Sequence, residues 1–194
     1  MHGHKKEHRH LWEAFLKGDN EALANLFEAF SDSLFDYGSR FSLDERLVED
    51  CIQDLFIKLC SNRSSLSLVD SPQFYLFKSL KNTIINNLER NQRYVYVSLQ
   101  DLPFYTEYKV SHEQEGESIP VDTYEKILSV LNTLNDRQKE AIYLRYQKGM
   151  SYDEISQLLN IKYQSTRNLI HRAIEKIRGE MDLKLFLFFF VNFF

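Results

Sequence analysis

Glycine and proline are scarce in this chain: its 194 residues include six glycines and three prolines. Because both residues interrupt helices, their scarcity favours long helices with short connections. The sequence has no glycine-rich phosphate loop, no Cys–His pair placed for nucleophilic catalysis and no pair of carboxylates arguable as a buried acid–base site. We therefore expect a protein that is not an enzyme, has no small-molecule substrate and needs no cofactor.

Cysteine is also scarce, since Cys51 and Cys60 are the two in the chain. Their spacing matches no zinc-binding pattern, and Cys51 falls on an apolar stripe that predicts a small core residue. Residues 1–10 combine histidines with basic residues, and we interpret them as a disordered basic arm rather than a metal site. This charged start, without an apolar stretch behind it, does not resemble a signal peptide, and we expect a cytoplasmic protein.

Positive charge is limited, with 24 Lys and Arg against 28 Asp and Glu and a net charge of −4. Binding to phosphates favours positive charge, so this balance is unfavourable for a nucleic-acid-binding protein. Two segments are locally basic, however: residues 162–178 carry five Lys or Arg against one Glu, and residues 78–93 carry four against one. The pattern predicts weak DNA binding by the isolated chain and a need for a larger partner.

Residues 135–178 contain three successive helical patterns separated by two breaks. Two residue pairs have the N-cap and N3 spacing that begins a helix: Asn135 with Gln138, and Ser151 with Glu154. Asn160 follows the second pattern, and asparagine tolerates the left-handed conformation that a tight turn requires. Helices are predicted at about 136–148, 151–159 and 163–178. A short helix, a tight turn and a longer helix are the elements of a helix-turn-helix.

The last of these helices has two chemically different faces. Residues at three- and four-residue steps are expected to face the core: Thr166, Ile170, Ala173, Ile174 and Ile177. Long polar side chains occupy the other side: Gln164, Arg167, Asn168, His171 and Arg172. Such side chains reach base edges and phosphates in a major groove. An ordinary amphipathic helix with a solvated basic face is the alternative, and the capping box and tight turn favour DNA binding over it.

The first half of the chain predicts a helical bundle. Apolar periodicity predicts helices at 11–17, 20–30, 34–41 and 44–60. The last is strongly amphipathic, and its polar face carries Asp50, Gln53 and Asp54. We interpret these three residues as a docking strip for a basic partner. A solvated acidic face is the alternative.

A serine-rich loop at 61–72 precedes a helix predicted at 73–92, with Ser71 as its N-cap and Pro72 in its first turn. One side of this helix is polar: Lys78, Lys81, Asn82, Asn86, Asn87 and Arg90. Aromatic residues interleave with these charges, a combination that suits single-stranded or melted nucleic acid because exposed bases can stack. For Phe74 and Phe77 the interpretation as core residues is preferred. Residues 94–123 then form an acidic segment without helical periodicity, which we interpret as a flexible linker between two domains.

Three motifs in this order resemble the bacterial extracytoplasmic-function sigma factors, the minimal two-domain members of the sigma-70 family. Residues 49–59, EDCIQDLFIKL, are similar to the domain-2 helix that binds the clamp helices of the polymerase β′ subunit. Residues 74–93 are similar to the helix that engages and melts the −10 element, and residues 134–178 resemble the motif that reads the −35 element. The resemblance implies an all-α fold, with a sigma-2-like helical bundle at 11–93 and a sigma-4-like helix-turn-helix domain at 124–181.

Matching positions imply the partners of individual residues. Contacts to core RNA polymerase (β′ clamp helices, with the β flap as a second site) would include Asp50, Gln53, Asp54, Phe56 and Lys58. Contacts to the −10 strand would include Lys78, Lys81, Asn82, Asn86 and Arg90, with a flipped base in the 61–73 loop. Contacts to the −35 element of promoter DNA would include Lys162, Gln164, Ser165, Arg167, Asn168, His171 and Arg172. The linker would enter the polymerase's RNA path, and the resemblance also implies an anti-sigma factor, possibly one bound to a membrane.

The sequence departs from the family pattern on its DNA face and at its end. Unusual residues there are Asn86, Asn160, Lys162, Tyr163 and Gln164, so the resemblance leaves the promoter sequence open. The apolar tail at 182–194 ends in LFLFFFVNFF, which is too short to span a bilayer, since a span takes about 20 residues. We hypothesise that the tail makes an apolar contact, either autoinhibitory packing between the domains or part of an anti-sigma interface.

Two other classes of protein compete with a sigma factor. A helix-turn-helix regulator that acts without being a polymerase subunit would account for 135–178 but would leave the strip at 50–54 and the basic helix at 74–93 without a role. The other is a helical interaction protein with no DNA role. If DNA binding by the complex did not weaken as the salt concentration rises, phosphate contacts would be absent.

Overall fold

The computed structural model describes residues 2–90, 103–105 and 121–181, with side chains from residue 5 and, in the last segment, from residue 125. The described residues contain helices and no strand, and the chain divides into two compact units, Met1–Val97 and Ser98–Phe194. The all-α, two-domain prediction is therefore confirmed. Most of the predicted linker at 94–123 and the tail at 182–194 lie outside the described residues. The helices are α1 (His2–Leu16), α2 (Asn20–Gly38), α3 (Glu45–Ser61), α4 (Pro72–Arg90), α5 (Val121–Thr133), α6 (Asp136–Ile142), α7 (Tyr152–Leu158) and α8 (Tyr163–Glu180).

Helix α1 begins at His2, so the prediction of a disordered arm over 1–10 is wrong for residues 2–10. Two tertiary contacts hold these first turns. The His8 ring lies 4.5 Å from that of Phe30 on α2, and the Arg9 guanidinium pairs with Asp70 at 3.3 Å. Further along α1, Trp12 and Phe15 are fully buried. Nothing in residues 1–10 alone reveals these distant partners.

Helix α2 starts where the sequence predicts. Gly18 has a positive φ of 105°, and the Asp19 carboxylate accepts hydrogen bonds from the backbone N–H groups of Glu21 and Ala22. The helix then continues to Gly38, so the separate short helix predicted at 34–41 is wrong. Its buried row explains the continuity, because these side chains follow one another at steps of three or four residues: Ala22, Leu26, Phe30, Leu34 and Tyr37.

Helices α3 and α4 complete the first unit and confirm the prediction closely. Asp44 caps α3 by accepting from the Leu47 N–H at 3.2 Å, and the Ser71 hydroxyl caps α4 by accepting from the Phe74 N–H at 3.2 Å. The core between α2, α3 and α4 is aromatic at one end, where the Tyr37 ring stacks on that of Phe77 at 4.8 Å. Each of these helices also has exposed residues on the side away from its buried row.

In the second unit, α6, α7 and α8 form the helix-turn-helix domain, and α5 packs on α8. Both predicted capping boxes are present, one at Asn135 with Gln138 and one at Ser151 with Glu154. Asn160 has the predicted left-handed conformation, with φ 51°. Phe104, within the predicted linker, is 2% exposed, and its ring lies 5.7 Å from that of Tyr143. A residue of the linker thus belongs to the core of this unit.

Candidate nucleic-acid interface

Helix α8 presents the polar face that its sequence predicts. Thr166, Ile170, Ala173 and Ile177 are buried, and Ile174 is half-buried. The residues predicted to contact DNA are all exposed: Lys162, Gln164, Ser165, Arg167, Asn168, His171 and Arg172. Because the opposite face is fixed in the core, the exposed side chains project from a rigid helix, as groove reading requires.

The turn between α7 and α8 sets the position of this face. The Ser151 hydroxyl accepts from the Glu154 N–H at 3.2 Å, and the Glu154 carboxylate accepts from the Ser151 N–H at 2.7 Å. After α7, the Ile161 N–H donates to the Ser156 carbonyl at 2.9 Å, across the turn that Asn160 makes. The capping box thus fixes the start of α7, and the Ile161 hydrogen bond closes the turn after α7, so α8 leaves that turn in a fixed direction.

The segment before α7 differs from the sequence prediction of a continuous helix to 148. After α6 the backbone widens into a π-helical turn, Tyr143–Gln147, and Gly149 follows with φ 62°. Arg145 in this turn donates from Nη1 to the Met150 carbonyl at 2.9 Å, and its guanidinium carbon lies 4.7 Å from the centre of the Tyr152 ring. Helix propensity carries no signal for this wider turn, which is a local departure from the α-helical hydrogen-bond pattern.

Burial also affects a titrating group beside this turn. The pKa of the Tyr146 hydroxyl is raised, first by burial and then by the neighbouring Tyr152, while the positive charge of Arg145 lowers it. The phenol therefore stays protonated and remains a hydrogen-bond donor throughout the physiological range.

On α4, four of the five residues predicted to contact the −10 strand are exposed: Lys78, Asn82, Asn86 and Arg90. The fifth prediction is wrong, because Lys81 is 2% exposed and its Nζ lies 5.3 Å from the centre of the Phe41 ring. Lys81 shares the buried row with Phe77 and Ile84 at spacings of four and three residues. Its charge type suggested the outer face, whereas its helical position places it inside.

Asn87, predicted on the same polar side of α4, is half-buried. Its Nδ2 donates to the Thr83 carbonyl at 2.9 Å and contacts the Cys51 sulfur at 3.5 Å. Burial, followed by the charge of Asp54, raises the pKa of the Cys51 thiol to about 11. Cys51 is thus the inert core residue that its place on the apolar stripe predicts.

The loop between α3 and α4 contacts α1 and the start of α2, a feature that sequence reasoning missed. The Trp12 indole Nε1 donates to the Ser67 carbonyl at 3.1 Å, and the Trp12 ring lies 5.0 Å from that of Tyr75. Arg63 donates to the Asn20 side chain and lies over the Phe15 ring at 4.9 Å. Contacts between positions more than 40 residues apart leave no local signal in the sequence. The loop is nevertheless largely exposed, as a nucleotide-binding loop must be.

The docking strip on α3 is exposed at Asp50, Gln53 and Asp54, and Lys58 is exposed beside it. Ile57 lies on the same face, four residues after Gln53, and is 64% exposed. That apolar residue was missed, although its spacing could have revealed it. Ile57 therefore places an exposed apolar side chain beside the docking strip.

Phe56 does not present its ring directly to a partner, because it is 8% exposed. Its ring meets that of Phe27 edge to face at 5.1 Å, and Phe27 on α2 is 44% exposed. The predicted role of Phe56 as a direct polymerase contact is therefore replaced by a supporting one. Phe27 and Ile57 are large, exposed apolar side chains next to the docking strip.

Two negative findings apply to the described residues. None of their helices is both long and apolar enough to cross a membrane. Within the same residues, no group of three or more potential metal ligands comes together.

Two family models match the chain in the order of its two units. Sigma-70 region 2 matches residues 26–94, and sigma-70 region 4 matches residues 124–177. Together the two matches cover more than half of the chain. The first match includes the docking strip and the exposed face of α4, and the second includes the helix-turn-helix.

The chain is similar to several sigma factors over two thirds or more of their length. The ECF RNA polymerase sigma factor SigW of Bacillus subtilis is 22% identical over 171 residues, which are 85% of this chain and 91% of that protein. The RNA polymerase sigma factor CarQ of Myxococcus xanthus is 26% identical over 178 residues, 89% of this chain and 98% of that one. Ferric citrate uptake sigma factor FecI of Escherichia coli is 26% identical over 127 residues, 66% of this chain and 72% of that one.

Solved structures show the same fold. CnrH, in complex with the cytosolic domain of CnrY, has a TM-score of 0.56 and 21% identity, covering 88% of this chain and 94% of CnrH. The sigma factor RpoE of Bartonella quintana, in complex with the anti-sigma factor NepR, has a TM-score of 0.57 and 20% identity, covering 81% of this chain and 94% of RpoE.

Proposed function

The chain belongs to the sigma-70 family, in its extracytoplasmic-function branch, and from this premise we propose which residues carry each step of its work. It is an RNA polymerase sigma factor, which binds core polymerase and directs it to promoter DNA. In this proposal residues 11–93 bind polymerase and open the −10 element, residues 124–181 read the −35 element, and residues 94–123 connect them. The succession of a region-2 unit and a region-4 unit in one chain is the observation that carries the proposal.

The docking strip is the proposed contact to the β′ clamp helices. Asp50, Gln53 and Asp54 supply carboxylate and amide acceptors for basic side chains, and Lys58 supplies a donor at their edge. Ile57 and Phe27 add apolar area beside these groups. Stable protein interfaces combine a desolvated apolar centre with a polar rim, and the α2–α3 surface offers both.

The outer face of α4, with the loop before it, is the proposed −10 site. Lys78 and Arg90 attract phosphates, and Asn82 and Asn86 offer hydrogen bonds to exposed base edges. Flipping a base out of the duplex costs a few kcal/mol, which the loop and the cationic face can offset once polymerase holds the DNA. Lys81 is left out of this set because it is buried.

The outer face of α8 is the proposed −35 site. Arg167 and Arg172 can each form a bidentate pair with guanine, while Gln164 and Asn168 suit adenine. Gln164 Nε2 donates to Asn168 Oδ1 at 3.2 Å, so the two amides are already aligned with each other. Lys162, Ser165 and His171 lie beside them and suit flanking phosphates. The β flap is the proposed polymerase contact of this unit.

The chain directs core polymerase to promoters, and polymerase catalyses RNA synthesis, so no catalytic role is proposed for the chain. Its place of action is the cytoplasm, where core polymerase meets the chromosome. An anti-sigma factor is the proposed regulator, because CnrH and RpoE, which share its fold, are described in complex with CnrY and with the anti-sigma factor NepR. Such a partner would silence the chain by covering the docking strip or the face of α8.

Transcription in vitro with purified core polymerase on a promoter library tests the proposal. Promoter-dependent initiation is expected. Gln53→Ala with Asp54→Ala should weaken polymerase binding about tenfold or more, since truncating central interface residues costs more than about 1 kcal/mol. Asp32→Ala, at an exposed acid on α2, is the matched control and should bind normally. Binding of a palindromic site by a dimer without polymerase would instead indicate a free-standing helix-turn-helix regulator.

Arg172→Ala separates DNA reading from polymerase binding. It should weaken use of the −35 element by about 1–3 kcal/mol while polymerase affinity stays at the wild-type value. Arg178→Ala removes the same charge on the last turn of α8 and should have a much smaller effect. If the variants on α3 and α8 have no separable effects, the assignment of roles is refuted.

A further inference from the structure

A pair of tyrosines joins the starts of α7 and α8. Tyr152 and Tyr163 are the first residues of the two helices, and their ring centres lie 6.1 Å apart with an interplanar angle of 70°. The pair is an edge-to-face contact, which fixes ring orientation better than simple apolar contact does. Tyr163 nevertheless remains 44% exposed. A large aromatic ring is thus held at the surface of the helix-turn-helix rather than in its core.

The support for this ring extends into the π-helical turn. The Arg145 guanidinium lies 4.7 Å from the centre of the Tyr152 ring, and its Nη1 donates to the Met150 carbonyl at 2.9 Å. Arg145 is therefore held by a backbone carbonyl while its guanidinium packs on the Tyr152 ring, and the Tyr152 ring in turn packs on that of Tyr163. An exposed side chain with such support loses little conformational entropy when it meets a ligand.

The location of Tyr163 indicates what that ligand is. Tyr163 immediately precedes Gln164 in the first turn of α8, and the first-turn residues of a recognition helix are those that reach base edges. The apolar group that the major groove offers is the 5-methyl group of thymine. Resting on the −35 role proposed for α8, we propose that the Tyr163 ring contacts a thymine methyl group and makes Tyr163 a determinant of promoter specificity.

The test uses holoenzyme assembled from the full chain and core polymerase, on a promoter selected from the library. Each thymine of the upstream element is replaced singly by uracil, which removes the methyl group and leaves base pairing intact. At one position, initiation by the wild-type holoenzyme should fall about fourfold, the effect of losing one buried methyl group. Initiation by the Tyr163→Ala holoenzyme should be about fourfold lower than that of the wild type on the thymine promoter. It should not change further when uracil replaces thymine at that position.

Tyr163→Phe distinguishes the ring from the hydroxyl and should retain both the activity and the methyl sensitivity of the wild type. The proposal is overturned if no thymine shows a methyl effect that Tyr163→Ala abolishes. It is overturned equally if Tyr163→Phe lowers initiation as much as Tyr163→Ala does, since the hydroxyl would then be contacting a phosphate. An unchanged thermal melt of Tyr163→Ala excludes misfolding as the cause of a loss.

The response of Arg172→Ala keeps this proposal distinct from the role of α8 itself. If Arg172→Ala weakens use of the upstream element but Tyr163→Ala does not change it, α8 reads DNA and the proposal for Tyr163 fails. If neither variant changes use of that element, the assignment of α8 to the −35 element fails together with the proposal.

Discussion

Replacing Phe104 by alanine tests whether a residue of the predicted linker stabilises the second unit. The side chain is 2% exposed and its ring lies 5.7 Å from that of Tyr143. Phenylalanine-to-alanine changes in cores cost about 3–5 kcal/mol, through lost burial and the cavity left behind. We expect a loss of about 3 kcal/mol in the free energy of unfolding of this unit. For a domain of this size, that corresponds to a fall in melting temperature of about 12–24 °C.

The chain provides its own reporters for this experiment. Its one tryptophan, Trp12, is buried in the first unit, so indole fluorescence follows the unfolding of that unit. Far-ultraviolet circular dichroism follows the helices of both units. Phe104→Ala should lower the midpoint of a dichroism transition and leave the fluorescence midpoint unchanged.

Phe27→Ala is the matched control, because it is the same chemical change at a side chain that is 44% exposed. It should cost well under half as much and act on the fluorescence-detected transition. A shift of less than about 0.5 kcal/mol for Phe104→Ala, the size of an ordinary surface substitution, would refute the reasoning. An equal shift of both transitions would refute the assignment of Phe104 to the second unit.

Four further predictions concern the first unit. Lys78→Ala should reduce the slope of log affinity against log salt concentration, for holoenzyme binding to promoter DNA, by about one. Lys81→Ala, at a buried side chain, should lower thermal stability and leave that slope unchanged. Gly38→Ala should destabilise by about 1–3 kcal/mol in denaturant unfolding, because its Cβ would lie 2.6 Å from the nearest valine methyl group. A thiol reagent at pH 8 should label the exposed Cys60 and spare Cys51 until the chain is denatured. Since the Cys51 pKa is raised to about 11 in the fold, the folded state binds the proton more tightly, and stability should fall between about pH 9 and 11.

Local signals in the sequence predicted most helix starts. Ser71, Asn135 and Ser151 cap helices as predicted, because a cap depends on residues within three positions of one another. Asp19 and Asp44 cap α2 and α3 close to the helix starts that the sequence predicted. Apolar periodicity predicted the buried face of α8 for the same reason.

Errors arose where distant contacts lie outside the local pattern and where charge type was given more weight than helical position. The arm at 2–10 is helical, and its last turn meets Phe30 and Asp70 through His8 and Arg9. Lys81 is inside because helical position outweighed charge type at that site. The partners of the arm lie more than 20 residues away along the chain, whereas the row that places Lys81 inside is local, since Phe77 and Ile84 lie four and three residues from it.

The sequence by itself determined the fold class, the two units and the polar faces of α3, α4 and α8, because helical periodicity and capping act within a few residues. The tertiary structure alone decided how those faces are supported. Trp12 holds the loop before α4, Phe104 joins the core of the second unit, and Arg145 backs the tyrosine pair at the start of α8. The contacts of Trp12 and Phe104 join residues more than 35 positions apart, and the contact of Arg145 depends on the π-helical turn that carries it. Neither helical periodicity nor capping encodes them.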